Sequence, residues 1–265
     1  MIIKIENRAL LKVSGIDGKS FLQSQFSNDI NNIKENNIQI NAYCQHQGKI
    51  VALLWVFKRG DNYYLSMPIS LKEVVLNKLH MFKLMSRVVI EDHSSLINQY
   101  GLINKEKINS FKLINNLSIL TTRKNLKDEG SLADWEKACI DSGLPEIYPE
   151  NSGKFIPQDL NIDLNELGVS FSKGCYPGQE VVARMHYLGK PKRRLFQFES
   201  IFDTSIGDSI NVRGSKSLKS SGEVISVVMI EKIHYFLGTL EIKHIADEIF
   251  LNNDIDKPLS IINAK

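Results

Sequence analysis

The chain has 265 residues, 43% of them hydrophobic, and a formal net charge of +3, enough length to bury a sizeable core and ordinarily to divide into two or three domains. No apolar run approaches the ~20 residues that a membrane-crossing helix requires, and so mild a charge does not by itself mark a nucleic-acid binder. The opening Met1-Ile2-Ile3-Lys4-Ile5-Glu6 meets charge too early for a signal peptide, so a cytoplasmic location and no membrane partner are expected.

Residues 9 to 13 read as a strand, after which Asp17 is placed to cap a helix burying Phe21, Leu22 and Phe26. Ile38 to Tyr43, Lys49 to Lys58 and Asn62 to Met67 read as strands, the last two joined as a hairpin by Arg59-Gly60-Asp61. Ser70 with Glu73 has the form of a capping box opening a helix to about Met85, with Val75, Leu79 and Phe82 on one face, and Arg87 to Glu91 follows as a strand. Residues 94 to 130 are polar and weakly patterned, with one clear strand at Leu117 to Thr121. Leu132 to Ser142 reads as a helix stopped by Gly143 and Leu144-Pro145, and Pro149 to Ser172 as an extended connector. Short strands at Leu195 to Glu199, Ser209 to Val212, Gly222 to Ile230 and Tyr235 to Ile242 predict a small β-barrel or sandwich, with Gly214 to Ser221 as an exposed hairpin loop.

The densest chemistry lies in Lys173-Gly174-Cys175-Tyr176-Pro177-Gly178-Gln179-Glu180. Tyr176-Pro177-Gly178-Gln179 fits a type II turn, because proline presets φ at the second position and glycine accepts positive φ at the third. Gln179 to Tyr187 then runs as a helix, with Val181 and Met185 on one face and Glu180 paired to Arg184 four residues on. A helix N-terminus and the neighbouring Lys173 both favour a thiolate at Cys175, so Cys175 and Lys173 are the catalytic candidates. The three cysteines, Cys44, Cys139 and Cys175, are odd in number and scattered, which argues against a disulfide framework and against a resident metal or iron–sulfur site. Cys44 and Cys139 read as core residues. Lys173, Arg184, Lys190, Lys192, Arg193 and Arg194 oppose only Glu180 between residues 173 and 194, a basic segment suited to an anionic partner.

With these residues in view, the chain resembles the YgfZ family of folate-binding, iron–sulfur cluster and tRNA-modification proteins, related to the aminomethyltransferase (T-protein) of glycine cleavage. The resemblance rests on Leu11 to Asp17, Phe21-Leu22-Gln23-Ser24-Gln25 and Asn28-Asp29. It continues through Asp134-Trp135, Ser142-Gly143-Leu144-Pro145, Phe155-Ile156-Pro157-Gln158 and Gly168-Val169-Ser170-Phe171, into the KGCYPGQE motif and Arg184. It implies an α+β, three-domain aminomethyltransferase-like fold around a central channel, with a C-terminal β-barrel. The corresponding boundaries are 1–93 for an N-terminal α/β domain, 94–188 for a middle region carrying the motif, and 189–265 for the barrel.

The resemblance further implies tetrahydrofolate or another folate as cofactor. Trp135 matches the family's tryptophan contact, Arg8 replaces a second aromatic contact, and Tyr176, Gln179, Glu180 and Arg184 complete the binding set. The implied role is a folate-binding accessory in iron–sulfur cluster assembly or repair, supporting iron–sulfur enzymes that include tRNA-thiolating ones. Its partners are then folate, iron–sulfur enzymes or carrier proteins, and tRNA as a further candidate. The alternatives are a folate-dependent one-carbon transferase and a tRNA-binding module regulated by folate. Val51 and Ala52 stand where the aminomethyltransferases carry a catalytic aspartate. An apolar side chain can neither orient an amine nor stabilise a developing iminium ion, so glycine cleavage chemistry is not expected.

Overall fold

The computed structural model describes residues 1–84, 86–213 and 220–263. They form fifteen strands in three antiparallel sheets, with four α-helices. The first sheet holds β2 (Arg8–Ser14), β3 (Gln39–Cys44), β4 (Ile50–Arg59), β5 (Asn62–Pro68) and β6 (Val89–Asp92), in the order β3-β4-β5-β2-β6. Its strands alternate sides with a period of two residues. Ala9, Leu11 and Val13 face one core with Leu54, Val56 and Leu65, while Leu10 faces a second core with Trp55, Phe57 and Tyr64. The first face is covered by α1 (Gly18–Gln25), through Phe21 and Leu22, and by α2 (Lys72–Phe82), through Val75 and Leu79.

The opposite face is covered by a second sheet, in the order β1-β7-β9-β8, and by α3 (Leu132–Asp141). Its strands are β1 (Ile2–Lys4), β7 (Asn98–Ile103), β8 (Ser110–Ile114) and β9 (Leu117–Thr122). The polar stretch 94–130 therefore holds three strands, of which only β9 was legible in the sequence, and the N-terminal strand completes their sheet through Ile3 opposite Gly101. Gly101 is required by packing: a Cβ there would lie 2.2 Å from Cε3 of Trp135. Helix α3 opens on a capping box in which the Ser131 hydroxyl accepts from Asp134 N–H and the Asp134 carboxylate accepts from Ser131 N–H.

The third sheet runs β14-β11-β12-β13-β10-β15, with β10 (Arg193–Ser200), β11 (Ser209–Val212), β12 (Gly222–Ile230), β13 (Ile233–Glu241), β14 (Ile249–Leu251) and β15 (Ser260–Asn263). The residues leading into β15 turn back to β14: Leu251 N–H donates to Lys257 carbonyl and Leu259 N–H to Ile249 carbonyl. The sheet thus curls around its own core of Phe198, Ile210, Phe236 and Leu251. The outward-facing Ile225, Val228 and Leu237 join the first core beside Ile140 and Ile147.

Several local expectations differ from the structure. Helix α2 starts from a 3-10 turn, Ile69–Leu71, and its N-cap Leu71 makes no side-chain cap, so Ser70 and Glu73 form no capping box there. Asp17 stands at the N-cap of α1 but makes no side-chain cap there; its carboxylate instead accepts from the Arg87 N–H, tying the helix start to the loop before β6. The connector before the motif is folded into 3-10 turns at Pro157–Leu160 and Leu164–Glu166. The loop read at Gly214 to Ser221 lies outside the described residues over 214–219, as does Met85, the expected end of α2.

Candidate functional site

The KGCYPGQE turn has the geometry its residues predict. Gln179 N–H donates to Tyr176 carbonyl at 3.2 Å, Gly178 has φ +84° and ψ 0°, and α4 (Gln179–Leu188) begins at once. Glycine is demanded twice over at 178, by the positive φ and by contact. A Cβ there would fall 2.4 Å from Gln45 carbonyl and 2.7 Å from Cα of Gly48. The motif is therefore seated on the β3–β4 turn of the first sheet, and Tyr176 is buried behind it. Cys175 stands exposed, whereas Cys44 is buried and its thiol is pushed up to about 12 by desolvation. Desolvation also raises the thiol of Cys139, which is half-buried, so Cys175 is the exposed thiol of the three.

Lys173, expected to lie beside the thiol as an exposed cation, is buried. Its ammonium donates to three backbone carbonyls at the end of α1 and just beyond, those of Gln23, Phe26 and Asn28. An ammonium has three protons, and all are engaged. Burial lowers its pKa to about 8, partly offset by the nearby Asp29 carboxylate. Lys173 thus anchors the motif to the α1 C-terminus and positions Cys175; it is not the free cation anticipated for the thiolate.

Helix α4 turns a different face inward from the one the spacing indicated. Val182 is its buried residue, while Val181 is exposed. Among the described residues no ion pair joins Glu180 to Arg184, and both side chains stand in solvent beside exposed Tyr187. Gln179 is held by donation from Nε2 to Lys173 carbonyl at 3.4 Å. The basic segment is partly neutralised: Arg194 pairs with Asp163 and donates to Gln158 carbonyl, and Arg193 donates to Ser220 carbonyl, leaving Lys190, Lys192 and Arg184 exposed. His186 stacks on Phe171 with ring centroids 3.6 Å apart, which fixes the outer end of the helix.

Arg8 and Trp135, the remaining pair of expected folate contacts, do meet, in a chamber where β2, α3 and β12 converge. Its walls include Trp55, Glu136, Cys139, Glu146, Tyr148 and Ser226. Arg8 pairs with Glu146, donates to the Ser66 hydroxyl at 2.9 Å, and lies 3.4 Å from the centre of the Trp55 ring. Burial pushes the Glu146 carboxyl up, against the pull of Arg8, and also raises Glu136. Trp135 is 2% exposed and packs edge-on to Trp55. Two polar atoms lining the chamber, Trp55 Nε1 and Ser226 Oγ, have no hydrogen-bond partner.

The chamber thus has donors and acceptors suited to a polar ring, but its volume is about 50 Å³, far below the ~300–1,000 Å³ of ordinary ligand sites. As arranged, it does not fit a pteridine. The Arg8 guanidinium occupies the Trp55 face and Trp135 is sealed, so neither offers the stacking plane expected of it. Sequence reasoning missed Glu146, although a carboxylate within the apolar Leu144-Pro145-Glu146-Ile147 was a signal for a buried charge needing a partner.

No family model matches the chain. It is 26% identical over 303 residues to the tRNA-modifying protein YgfZ of Escherichia coli strain SE11, covering 100% of this chain and 89% of that protein. The chain is YgfZ-like. The YgfZ of Colwellia psychrerythraea is 29% identical over 262 residues, covering 85% of this chain and 80% of that protein. An uncharacterized Haemophilus influenzae protein is 29% identical over 264 residues, at 96% and 90% coverage. The crystal structure of the glycine cleavage system aminomethyltransferase T from Bartonella henselae superimposes with a TM-score of 0.73 over 99% of this chain and 84% of that one, at 12% identity. This YgfZ-like chain therefore has an aminomethyltransferase-like α/β fold. At 12% identity that likeness is one of fold alone; Val51 and Ala52, which the sequence resemblance sets against the T-protein aspartate, are buried apolar residues in β4. No helix among the described residues is long and apolar enough to cross a membrane.

Proposed function

We propose that this protein serves tRNA modification as an accessory to iron–sulfur enzymes that thiolate tRNA, with the surface formed by Cys175, Glu180 and Arg184 as its working face. The observation that carries the proposal is the contrast among the three thiols: Cys44 is buried, Cys139 is half-buried in the chamber wall, and Cys175 is exposed on a turn anchored by Lys173 and Gly178. A thiol so presented is accessible to a partner protein without unfolding, and the anchoring lowers the entropy lost on docking. The tRNA-modifying relatives supply the biological setting. Folate has no step in this reading, because the chamber of Arg8 and Trp135 does not fit it as arranged.

The test is the content of thiolated nucleosides in tRNA from cells lacking the protein and complemented with variants. Cys175→Ser, nearly isosteric, is expected to fold normally and to restore less thiolation than the wild type. Cys44→Ser and Cys139→Ser are expected to act only through stability. Full restoration by Cys175→Ser would remove the thiol from the function.

A further inference from the structure

A second surface, remote in sequence from the motif, has a chemistry that the motif does not explain. A groove of about 930 Å³ opens between the β4–β5 turn, the loop at 33–36, and the strands β8 and β9 with their flanking loops. Four of the residues lining it are cations, Lys58, Arg59, Lys107 and Lys124, against one carboxylate, Glu35. Among the described residues, the ammonium groups of Lys58, Lys107 and Lys124 have no hydrogen-bond or ion-pair partner. Elsewhere the surface commonly neutralises its cations, as in Lys12–Glu91, Lys72–Asp92, Lys105–Glu129, Lys137–Asp141 and Lys154–Glu223. Arg59 is held in place by Thr121, whose hydroxyl accepts from Nη2 at 2.9 Å, and by the Phe111 ring 5.4 Å away. That uses one of the five guanidinium N–H donors and leaves the fork available for an anion.

We propose that this groove docks the phosphate backbone of RNA. Unpaired cations around an open cleft attract a polyanion and gain from the counterions it releases. The neutral lining, Asn36, Asn109, Thr121 and Thr122, adds hydrogen-bonding groups of the kind that contact phosphates and sugars. The groove's aromatic residue, Phe111, is buried beneath Arg59 and offers no face to a base, so contact is with backbone and is largely independent of sequence. The choice of RNA over other polyanions rests on the tRNA reading above; the charge pattern is independent of it.

The experiment is binding of unfractionated tRNA to the full chain, by anisotropy, between about 50 and 200 mM salt, the range over which phosphate contacts declare themselves. The triple variant K58Q/K107Q/K124Q is expected to weaken binding at least about tenfold and to reduce the slope of log affinity against log salt by about 3, one for each lost contact. K12Q/K154Q, at ion-paired lysines elsewhere on the surface, is expected to bind as the wild type, and K190Q/K192Q on the motif side tests the rival site. The groove assignment is overturned by unchanged affinity and slope in the triple variant, by a loss confined to K190Q/K192Q, or by failure of the wild type to bind. Equal competition by polyglutamate would overturn the commitment to RNA. Failure of the thiolation reading is a separate result, read in nucleoside content with Cys175→Ser, whose groove is intact.

Discussion

At the scale of single residues, Lys173 shows how a neighbour in sequence can be a stranger in space. Its place two residues before Cys175 points to a cation for a thiolate, but its ammonium is claimed by carbonyls 145 to 150 residues earlier. Which carbonyls those are depends on where α1 ends against the motif, a long-range fact that no local pattern carries. Removing the donors leaves buried acceptors unsatisfied, at about 1–3 kcal/mol each before relaxation. Lys173→Met is therefore expected to destabilise the protein by about 2–5 kcal/mol in urea unfolding and to lower Cys175-dependent function through the turn. The pH dependence has a definite sign. With a folded pKa of about 8 and an unfolded one near ~10.4, the unfolded chain binds more protons between those values, so this residue's contribution raises stability as pH climbs through that window. The wild type minus Lys173→Met difference in unfolding free energy should grow from pH 8 to pH 10; a flat or falling difference would show that the ammonium is fully compensated by its carbonyls.

At the scale of elements, the motif turn and the sheet of residues 98–122 mark the two ends of legibility. The turn was readable because each of its requirements is met by a residue within four positions: proline for one φ, glycine for the next, and a helix former after it. The sheet was not, because β7 is covered on both sides and its inward residues are chosen to fit neighbours from elsewhere. Gln99 donates to the carbonyls of Arg8 and Ala9, and Gly101 makes room for Trp135. A strand with a glutamine and a glycine at buried positions does not look apolar, whatever its burial. Two substitutions follow from these fits. Gly178→Ala combines a strained positive φ with a contact that backbone atoms cannot easily yield, and is expected to cost about 1–3 kcal/mol and to change the alkylation rate of Cys175. Gly101→Ala is expected to destabilise by about 1–3 kcal/mol through overpacking, and Trp135→Leu in the same chain should recover part of that loss. Strict additivity in that double-mutant cycle would mean that the two side chains do not share the space.

At the scale of the whole molecule, the first and third sheets and α3 converge on a buried ion pair. Arg8 comes from β2, Glu146 from the segment after α3, and Ser226 and Val227 close the chamber from β12. Arg8 and Trp135, named together by the sequence resemblance, do line one chamber, but how that chamber is filled was not legible in the sequence. Whether a channel residue lines a space or fills it depends on side-chain volume and on a partner carboxylate distant in sequence. Breaking a buried pair from one side leaves an uncompensated charge, at about 3–5 kcal/mol, whereas replacing both members with apolar residues of similar size is often neutral or stabilising. Arg8→Met alone should therefore be strongly destabilising, and Arg8→Met with Glu146→Met should recover most of the loss. The same pair governs access to the chamber. With about 50 Å³ free, a site this small holds a water molecule or two, each having a share of ~30 Å³, and not a fused ring. Calorimetric titration of the native protein with tetrahydrofolate is expected to show no saturable binding. Arg8→Ala/Glu146→Ala, which removes both side chains and bares the Trp55 face while leaving no unpaired charge, is expected to gain affinity for an aromatic ring, reported by quenching of tryptophan emission. Saturable binding by the native protein, abolished by Trp135→Ala, would mean that the ion pair swings aside for the ligand, and the closed chamber would then be one of two states of the fold rather than its only one.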